Sequence, residues 1–473
     1  MPGAAPAAEF VVVANRLPVD RADDDREPWR RSPGGLVTAL EPVVQSTGGA
    51  WVGWAGKPDL DIDPFEFDGL HLVPVTLTAA DVAQYYEGFS NDTIWPLYHD
   101  VISPPTYHRA WWEAYVRVNR RFAEAAASVA APGATVWVHD YQLQLVPRML
   151  REARPDLVIG YFHHIPFPAY GIYSQLPWRS QVLEGLLGAD VVGFQRSADA
   201  ANFAGAVRRR FGYDIKAGAI SVPVPEGGTR QSVAKAYPIS IDTASYEELA
   251  RRPEIQARAR EIREELGNPT SVLLGVDRID YTKGIRHRLK AVGELFSDGR
   301  FSVGDATLVQ VASPSRERVA AYMQLRDEIE LAVGRINGDY GTVGFTAIRY
   351  LHHSYPREEM VALYLAADVM LVTALRDGMN LVAKEYVASR VDGDGVLVLS
   401  EFAGASDELT QSIRVNPHDI QGLKDAVMTA VQMPIEERRR RMRALRRRVR
   451  DNDVSAWSRR FLADLRAVKA GRS

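Results

Sequence analysis

The chain contains no cysteine, which excludes disulfides, thiolate nucleophiles, iron–sulfur clusters and every zinc site that needs sulfur. A reducing compartment fits that absence. No apolar run approaches the roughly 20 residues a membrane-spanning helix needs. Met1 to Glu9 is rich in Ala, Pro and Gly, with neither a basic segment nor an apolar one, so it reads as a tail and not as a signal peptide. A cytoplasmic location is therefore expected. Charge of one sign is missing too: 57 Lys and Arg against 60 Asp and Glu leave a formal net charge of -3, so no overall field favours nucleic acid or an anionic membrane surface. Neither a Walker A sequence nor G-x-G-x-x-G occurs, which removes support for P-loop nucleotide hydrolysis, standard dinucleotide binding and the redox chemistry that goes with it.

What is present is an ordinary globular composition, 46% hydrophobic and 25% charged over 473 residues, a length that suggests two or three domains. Short β-branched apolar runs, each followed by a turn and a segment of helical period, predict an α/β fold with parallel sheets. The predicted strands are Phe10 to Ala14, Thr135 to Val138, Leu157 to Phe162, Asp190 to Phe194, Ser271 to Val276, Thr307 to Val311, Val369 to Thr373 and Gly395 to Leu399. Helices are predicted at Tyr115 to Ala127, Leu183 to Leu187, Glu254 to Leu266, Arg316 to Val333 and Met360 to Ala366. Between Tyr213 and Ala236 periodicity fades, which reads as a linker or a loop. A new sheet starting at Ser271 implies two doubly wound lobes with a cleft between them, the crossover lying near Pro238 to Pro253. The Arg run in Glu436 to Arg450 could be a nucleic-acid patch. Met442, Leu445 and Val449 instead fall on one apolar stripe, so a half-solvated helix is the better reading. Trp457, Phe461 and Leu465 mark a last helix that docks on another element.

Ligands of open α/β sheets bind beyond the carboxyl ends of the strands. The residues following the predicted strands are Arg16, His139 and Asp140, His163 and His164, Arg278 with Lys283, Ser315 and Arg316, and Arg376 and Asp377. A single charged loop residue is ordinarily just solvated, but six such positions in one chain point to a site. Cations gathered in a protein without net positive charge suit phosphorylated small molecules, Arg as a fork and Lys as a point charge. Their presence in both lobes suggests two anionic substrates. Ser32 to Leu36 (SPGGL) is a turn whose glycines let backbone N–H groups approach a phosphate. Leu375 to Glu385 (LRDGMNLVAKE) runs from a strand end into a helix whose first N–H groups, around Asn380 to Val382, would hold an anion. Asp377 before that helix and Glu385 one turn into it would complete a nucleotide-sugar site. Tyr85 to Asn91 and Trp95-Pro96 read as loop, with aromatic faces suited to a sugar.

The blocks VVVANRLP (Val11 to Pro18), SPGGL, YYEGFSN with WP (Tyr85 to Pro96), HDYQL (His139 to Leu143), HHIPFP (His163 to Pro168), DRIDYTKG (Asp277 to Gly284), SPSRE (Ser313 to Glu317), GRINGDYG (Gly334 to Gly341) and LRDGMNLVAKE resemble the trehalose-6-phosphate synthase family from about Val11 to Leu465. The resemblance implies a GT-B fold: a Rossmann-like acceptor lobe (residues 1–240), a Rossmann-like nucleotide-sugar lobe (241–452) and a C-terminal helix (453–473) returning to the first. It implies transfer of glucose from a nucleotide diphosphate glucose to glucose 6-phosphate, with retention, in trehalose biosynthesis. It implies no cofactor and no metal.

On matching positions, the donor would be held by Gly34, Gly35, Arg278, Lys283, Tyr355, Asp377, Gly378, Met379, Asn380, Leu381, Val382, Ala383, Lys384 and Glu385. Tyr355 would lie near the base and Glu385 on the ribose. The acceptor would be held by Arg16, Tyr86 and Arg316 at its 6-phosphate, Asp140 at a hydroxyl, and Trp95 and Trp54 along the ring. His164, Arg278, Lys283 and Asp377 would be catalytic. The partners implied are the two substrates, with no nucleic acid and no membrane; homo-oligomerisation as a dimer or tetramer is compatible. UDP-, GDP- and ADP-glucose stay open as donors. Departures from the family pattern fall between Phe194 and Pro238 and at Ala169-Tyr170-Gly171. Two other readings stand beside this one: an enzyme that couples cyclitols through nitrogen on the same nucleotide site, and a non-catalytic sugar-phosphate sensor.

Overall fold

The strands expected from apolar runs are all present in the computed structural model, which describes residues 7–21, 29–32, 35–225, 227–316 and 319–472. The chain forms two units, Met1–Ile239 with Ser455–Ser473, and Ser240–Val454. In the first, the strands are β1 (Ala8–Arg16), β2 (Val19–Arg21), β3 (Trp29–Arg31), β4 (Ala50–Trp54), β5 (Phe65–Phe67), β6 (Leu70–Pro74), β7 (Ala130–His139), β8 (Val158–Phe162), β9 (Val191–Phe194), β10 (Ile215–Lys216), β11 (Ala219–Pro223) and β12 (Thr229–Ala236). Ten of them form one sheet in the order β10-β11-β12-β9-β8-β7-β1-β4-β6-β5. From β6 to β12 all neighbours are parallel. β2 and β3 make a separate antiparallel pair.

The second unit carries β13 (Ser271–Arg278), β14 (Ala306–Ser313), β15 (Ile348–Leu351), β16 (Val369–Val372), β17 (Val396–Ser400) and β18 (Ile413–Val415). All run parallel in the order β15-β14-β13-β16-β17-β18. Counted along its own chain that order is 3-2-1-4-5-6, the doubly wound arrangement in which the strand order reverses between the first and fourth strands. The parallel core of the first unit repeats it, with the reversal between β1 and β7. Both sheets are therefore open at one defined crevice each, past the carboxyl ends of β1 and β7 in one unit and of β13 and β16 in the other.

Buried strands flanked by amphipathic helices account for the core. Val11, Val12 and Val13 of β1 are fully buried, and the Arg109–Val129 helix buries Tyr115, Val118, Phe122 and Ala126 at helical spacing. Two expectations fail. Tyr213 to Ala236 is no linker: β11 and β12 pair antiparallel and β12 extends the sheet beside β9, half-buried strands whose polar residues blur the period. Tyr85 to Pro96 is helical and not a loop. Val82–Ile94 is a π-helix, closed by the Trp95 N–H donating to the Ser90 carbonyl, and Trp95–Tyr98 continues it with Pro96 in its first turn. The helix expected from Arg316 begins at Ala320.

The Ile435–Asp451 helix buries Met442, Leu445 and Val449 as the stripe required. In the Val454–Arg472 helix, Trp457, Phe461 and Leu465 are buried. Phe461 stacks on Trp137 at 4.4 Å between ring centres and approaches Phe162 at 5.9 Å. Among the described residues no helix is long and apolar enough to cross a membrane.

Candidate active site

In the second unit the crevice is lined with paired charge. Arg278 is the last residue of β13 and is exposed. Lys283 follows in a short 3₁₀ turn, and its ammonium lies 2.6 Å from Asp377, which comes just after β16. Gly284, at φ 65°, makes that approach possible, because a Cβ there would collide with the Thr373 carbonyl oxygen. Asp377 also accepts from the Asn380 amide at 3.1 Å. Asn380 is itself left-handed, φ 79°, and its side-chain oxygen accepts the Ala383 N–H at 3.1 Å, capping the Leu381–Ser389 helix. Among the described residues the Leu381 and Val382 N–H groups at that helix start have no hydrogen-bond partner, the arrangement that suits an anion. The preceding loop is fastened from the other side, Ala405 N–H to the Met379 carbonyl at 2.7 Å and Gly404 N–H to that of Asp377 at 3.2 Å.

Beneath these groups lies Asp280, fully buried, accepting from the Thr282 N–H and hydroxyl at 3.0 and 2.9 Å. Burial alone would raise its pKa. The charges of Arg316, Lys283 and Arg278 and the Thr282 N–H more than offset that and hold it below the ordinary carboxylate value. Asp280 thus anchors the cations the site needs.

In the first unit, Arg16 ends β1, pairs with Asp20 at 2.7 Å and lies over the Trp54 ring at 5.3 Å. Trp54 approaches Tyr86 at 6.1 Å. Gly56, at φ 88°, lies against the Arg16 guanidinium. The neighbouring Asn15 accepts from the Tyr85 hydroxyl at 2.8 Å, which ties the π-helix to the end of β1. Asp140, just past β7, is left-handed at φ 75° and accepts from the N–H groups of Tyr141 and His164 at 2.9 and 3.2 Å. That is a strained backbone position held by its own side chain. Trp95 is buried against His99 and Tyr141, at 4.2 and 5.6 Å. His139 Nδ1 and His164 Nε2 are 3.1 Å apart. Burial pushes His164 and His163 down to about 3 and His139 well below its ordinary value, so all three are neutral imidazoles near pH 7.

Each of the two doubly wound sheets thus presents cations and carboxylates at its reversal point. The family model for glycosyltransferase family 20 matches residues 8–467. The chain belongs to that family. It is 58% identical over 467 residues to the trehalose-6-phosphate synthase of Mycolicibacterium gilvum, covering 96% of this chain and 93% of the relative. It is similar to the crystal structure of an α,α-trehalose-phosphate synthase (UDP-forming) from Burkholderia vietnamiensis, with a TM-score of 0.89, 35% identity and coverage of 99% and 98%. An enzyme of the same description from Burkholderia xenovorans, solved in complex with glucose 6-phosphate, gives 0.87 at 34% identity, covering 96% and 99%. As a family 20 glycosyltransferase the chain has the GT-B fold, two Rossmann-like units.

Within this family 20 chain the sequence-predicted residues divide. Arg278, Lys283, Asp377 and Gly378 to Ala383 share one crevice; Arg16, Trp54 and Tyr86 form one cluster, and Asp140 and His164 another. Gly34 lies outside the described residues, and Gly35 opens the Gly35–Thr47 helix. The Lys384 ammonium is buried against Glu408 at 2.6 Å. Arg316 is drawn inward, its guanidinium over Tyr322, bonded to the Tyr322 hydroxyl and 3.9 Å from Asp280. Tyr355 lines a cavity of about 250 Å³ with Arg258, Glu265, Arg349 and Glu359. Glu385 accepts from the hydroxyls of Tyr364, at 2.8 Å, and Tyr246; burial raises its pKa above the ordinary value. Sequence reasoning missed Asp280, Asn15 and Gly56. Only Asp280 carried a signal, as a carboxylate three residues before Lys283.

Proposed function

We propose that this protein is a retaining glucosyltransferase that moves glucose from a nucleotide diphosphate glucose to glucose 6-phosphate and forms α,α-trehalose 6-phosphate. The observation that carries this reading is the Lys283–Asp377 pair at the reversal point of the second sheet, beside Arg278 and a capped helix start. A diphosphate entering there replaces Asp377 as the counter-ion of Lys283. The freed carboxylate is then available to the hydroxyls of the donor glucose, so one exchange binds both halves of the donor. Glu385 is assigned to the ribose, and Tyr355 to the neighbourhood of the base. Arg16 and Tyr86 are assigned to the acceptor's 6-phosphate, Asp140 to an acceptor hydroxyl, and Trp95 with Trp54 to its ring. Arg316 serves the same phosphate once it exchanges Asp280 for it.

Charge then dictates the mechanism. As the glucose–phosphate bond breaks, negative charge grows on the leaving β-phosphate, where Arg278, Lys283 and the helix N–H groups stabilise it more than they stabilise the ground state. The acceptor hydroxyl attacks from the face the phosphate leaves. Its proton passes to the departing phosphate oxygen, so no carboxylate nucleophile is needed and configuration is retained. Neutral His164 donates a hydrogen bond to the donor sugar and carries no proton through the step.

The similarity to UDP-forming enzymes favours UDP-glucose as donor. The test is incubation of glucose 6-phosphate with UDP-, GDP- and ADP-glucose in parallel, with a chelator present, following trehalose 6-phosphate by mass and NMR. The α,α-linked product is expected, undiminished by chelation. Absence of product with all three donors, or a product of inverted anomeric configuration, would overturn the assignment.

A further inference from the structure

His139 ends β7 and His164 follows β8, so two neighbouring parallel strands bring both rings together past their carboxyl ends. His139 Nδ1 lies 3.1 Å from His164 Nε2. Burial keeps both imidazoles neutral near pH 7, so a single proton lies between these nitrogens and either ring could be its donor. The far nitrogens decide which. His139 is fully buried, and its Nε2 has no hydrogen-bond partner among the described residues. The rings packed on it are those of Trp137, Phe162 and Trp457, at 4.8, 6.4 and 6.5 Å between centres. The indole N–H groups of Trp137 and Trp457 are themselves buried without a partner among the described residues. A proton on Nε2 would therefore add another orphaned donor to surroundings already holding two, whereas a lone pair there adds none. His164 is half-buried against Phe162 and Trp457, at 4.7 and 6.3 Å, and its Nδ1 has no hydrogen-bond partner among the described residues.

We propose that His139 is a positioning residue: it keeps its proton on Nδ1, donates it to His164 Nε2, and thereby fixes His164 as the Nδ1–H tautomer, a hydrogen-bond donor to a hydroxyl of the donor sugar. Which nitrogen of a neutral imidazole carries the proton is set by the bond the other nitrogen makes. Without His139, the His164 proton is free to settle on Nε2, and Nδ1 becomes a lone pair that can only accept. A sugar hydroxyl then bonds only by turning its own proton toward the ring, which takes that proton from any other acceptor in the site. The backbone of His164 is fastened separately, its N–H donating to Asp140 at 3.2 Å, so His139 acts on the ring alone. The tautomer follows from the buried rings; its service to the sugar rests on the role proposed for His164.

The test has a spectroscopic arm and a kinetic one. In long-range proton–nitrogen NMR of the protein labelled with nitrogen-15 in its histidines, protonated and bare ring nitrogens resonate well apart, and spectra of His139→Phe and His164→Asn assign the two rings. Near pH 7 both rings of wild type are expected to carry their proton on Nδ1. A proton on Nε2 of either ring would overturn the proposal. In His139→Phe, which keeps a ring and removes the donor, the His164 signals should move toward the Nε2–H form. With nucleotide-glucose and glucose 6-phosphate, kcat of that variant should fall about tenfold, the worth of one hydrogen bond. His139→Asn, whose amide nitrogen takes the place of Nδ1, should recover most of the loss. Singly deoxygenated glucose donors separate positioning from packing: at one hydroxyl, deletion should slow wild type and leave His139→Phe unaffected. Equal loss in both variants, or no hydroxyl at which wild type and His139→Phe differ, would overturn the link to the sugar. If none of the donors were turned over, the wild-type spectrum would still decide the tautomer.

Discussion

Lys283 and Asp377 face each other before any ligand arrives, and Asp280 lies among Arg278, Lys283 and Arg316, so the phosphate-binding cations are positioned in advance by internal anions. Arg278, exposed at the end of its strand, is the one most open to incoming phosphate. Arg278→Ala should lower kcat by about two orders of magnitude or more, the usual cost of an oxyanion-type donor; steady-state kinetics at saturating donor would show it, and a near-wild-type kcat would remove Arg278 from the chemistry. The histidines make a different prediction. His163 and His164 are depressed to about 3 by burial, against an unfolded value near 6.5. Between those values the unfolded chain takes up protons that the native chain refuses. Their stabilising contribution is therefore complete above about pH 6.5 and drains as pH falls, by about 1.4 kcal/mol per histidine per pH unit. Denaturant midpoints taken from pH 7 to pH 4 should drop accordingly, and His163→Asn should flatten the slope. The ligand-facing charges were legible in sequence because a strand end is a recognisable place. Asp280 was legible only as a carboxylate between Arg278 and Lys283; that it is buried, and that Arg316 comes to it from further along the chain, was not.

At the scale of an element, the Leu381–Ser389 helix depends on Asn380 twice, as its cap and as a partner of Asp377. Asn380→Ala should cost about 0.5–2 kcal/mol, typical of a lost cap, and raise the KM for donor. Asn380→Asp separates the two roles: a carboxylate caps well, yet puts negative charge beside the diphosphate. Wild-type stability together with weakened donor binding is the expected outcome, read by thermal melts and by calorimetry with uridine diphosphate. Weakened stability without loss of donor binding would count against the anion site. Consecutive residues on this helix point about 100° apart, and the structure gives Lys384 to Glu408 and Glu385 to Tyr364. The stretch from Tyr85 to Pro96 misled for a physical reason. A π-helix has neither the period of an α-helix nor the alternation of a strand, so its aromatic residues resemble a loop until Asn15 and Tyr141 fasten them.

For the whole molecule, the final helix matters most to the first unit. Gly160 and Gly193, on neighbouring strands, leave the space that Phe461 fills; a Cβ on either would come within 2.7 Å of its ring. Trp457 continues that packing to His139 and His164, at 6.5 and 6.3 Å. Phe461→Ala should cost about 3–5 kcal/mol, as large-to-small changes in cores do, and Gly160→Ala should destabilise by collision in place of a void. Both losses are expected in the transition of the first unit, followed by hydrogen exchange in β8 and β9. A loss confined to β13–β18 would contradict this packing.

By itself the sequence determined the kind of fold and the chemistry at its strand ends, because buried parallel strands announce themselves by unbroken apolar runs and the charge after each run has few other reasons to be there. Only the tertiary structure decided which charges neutralise one another, and that Lys384 and Arg316 turn inward. Pairing is a property of distance between side chains tens or hundreds of residues apart, and no local pattern encodes it.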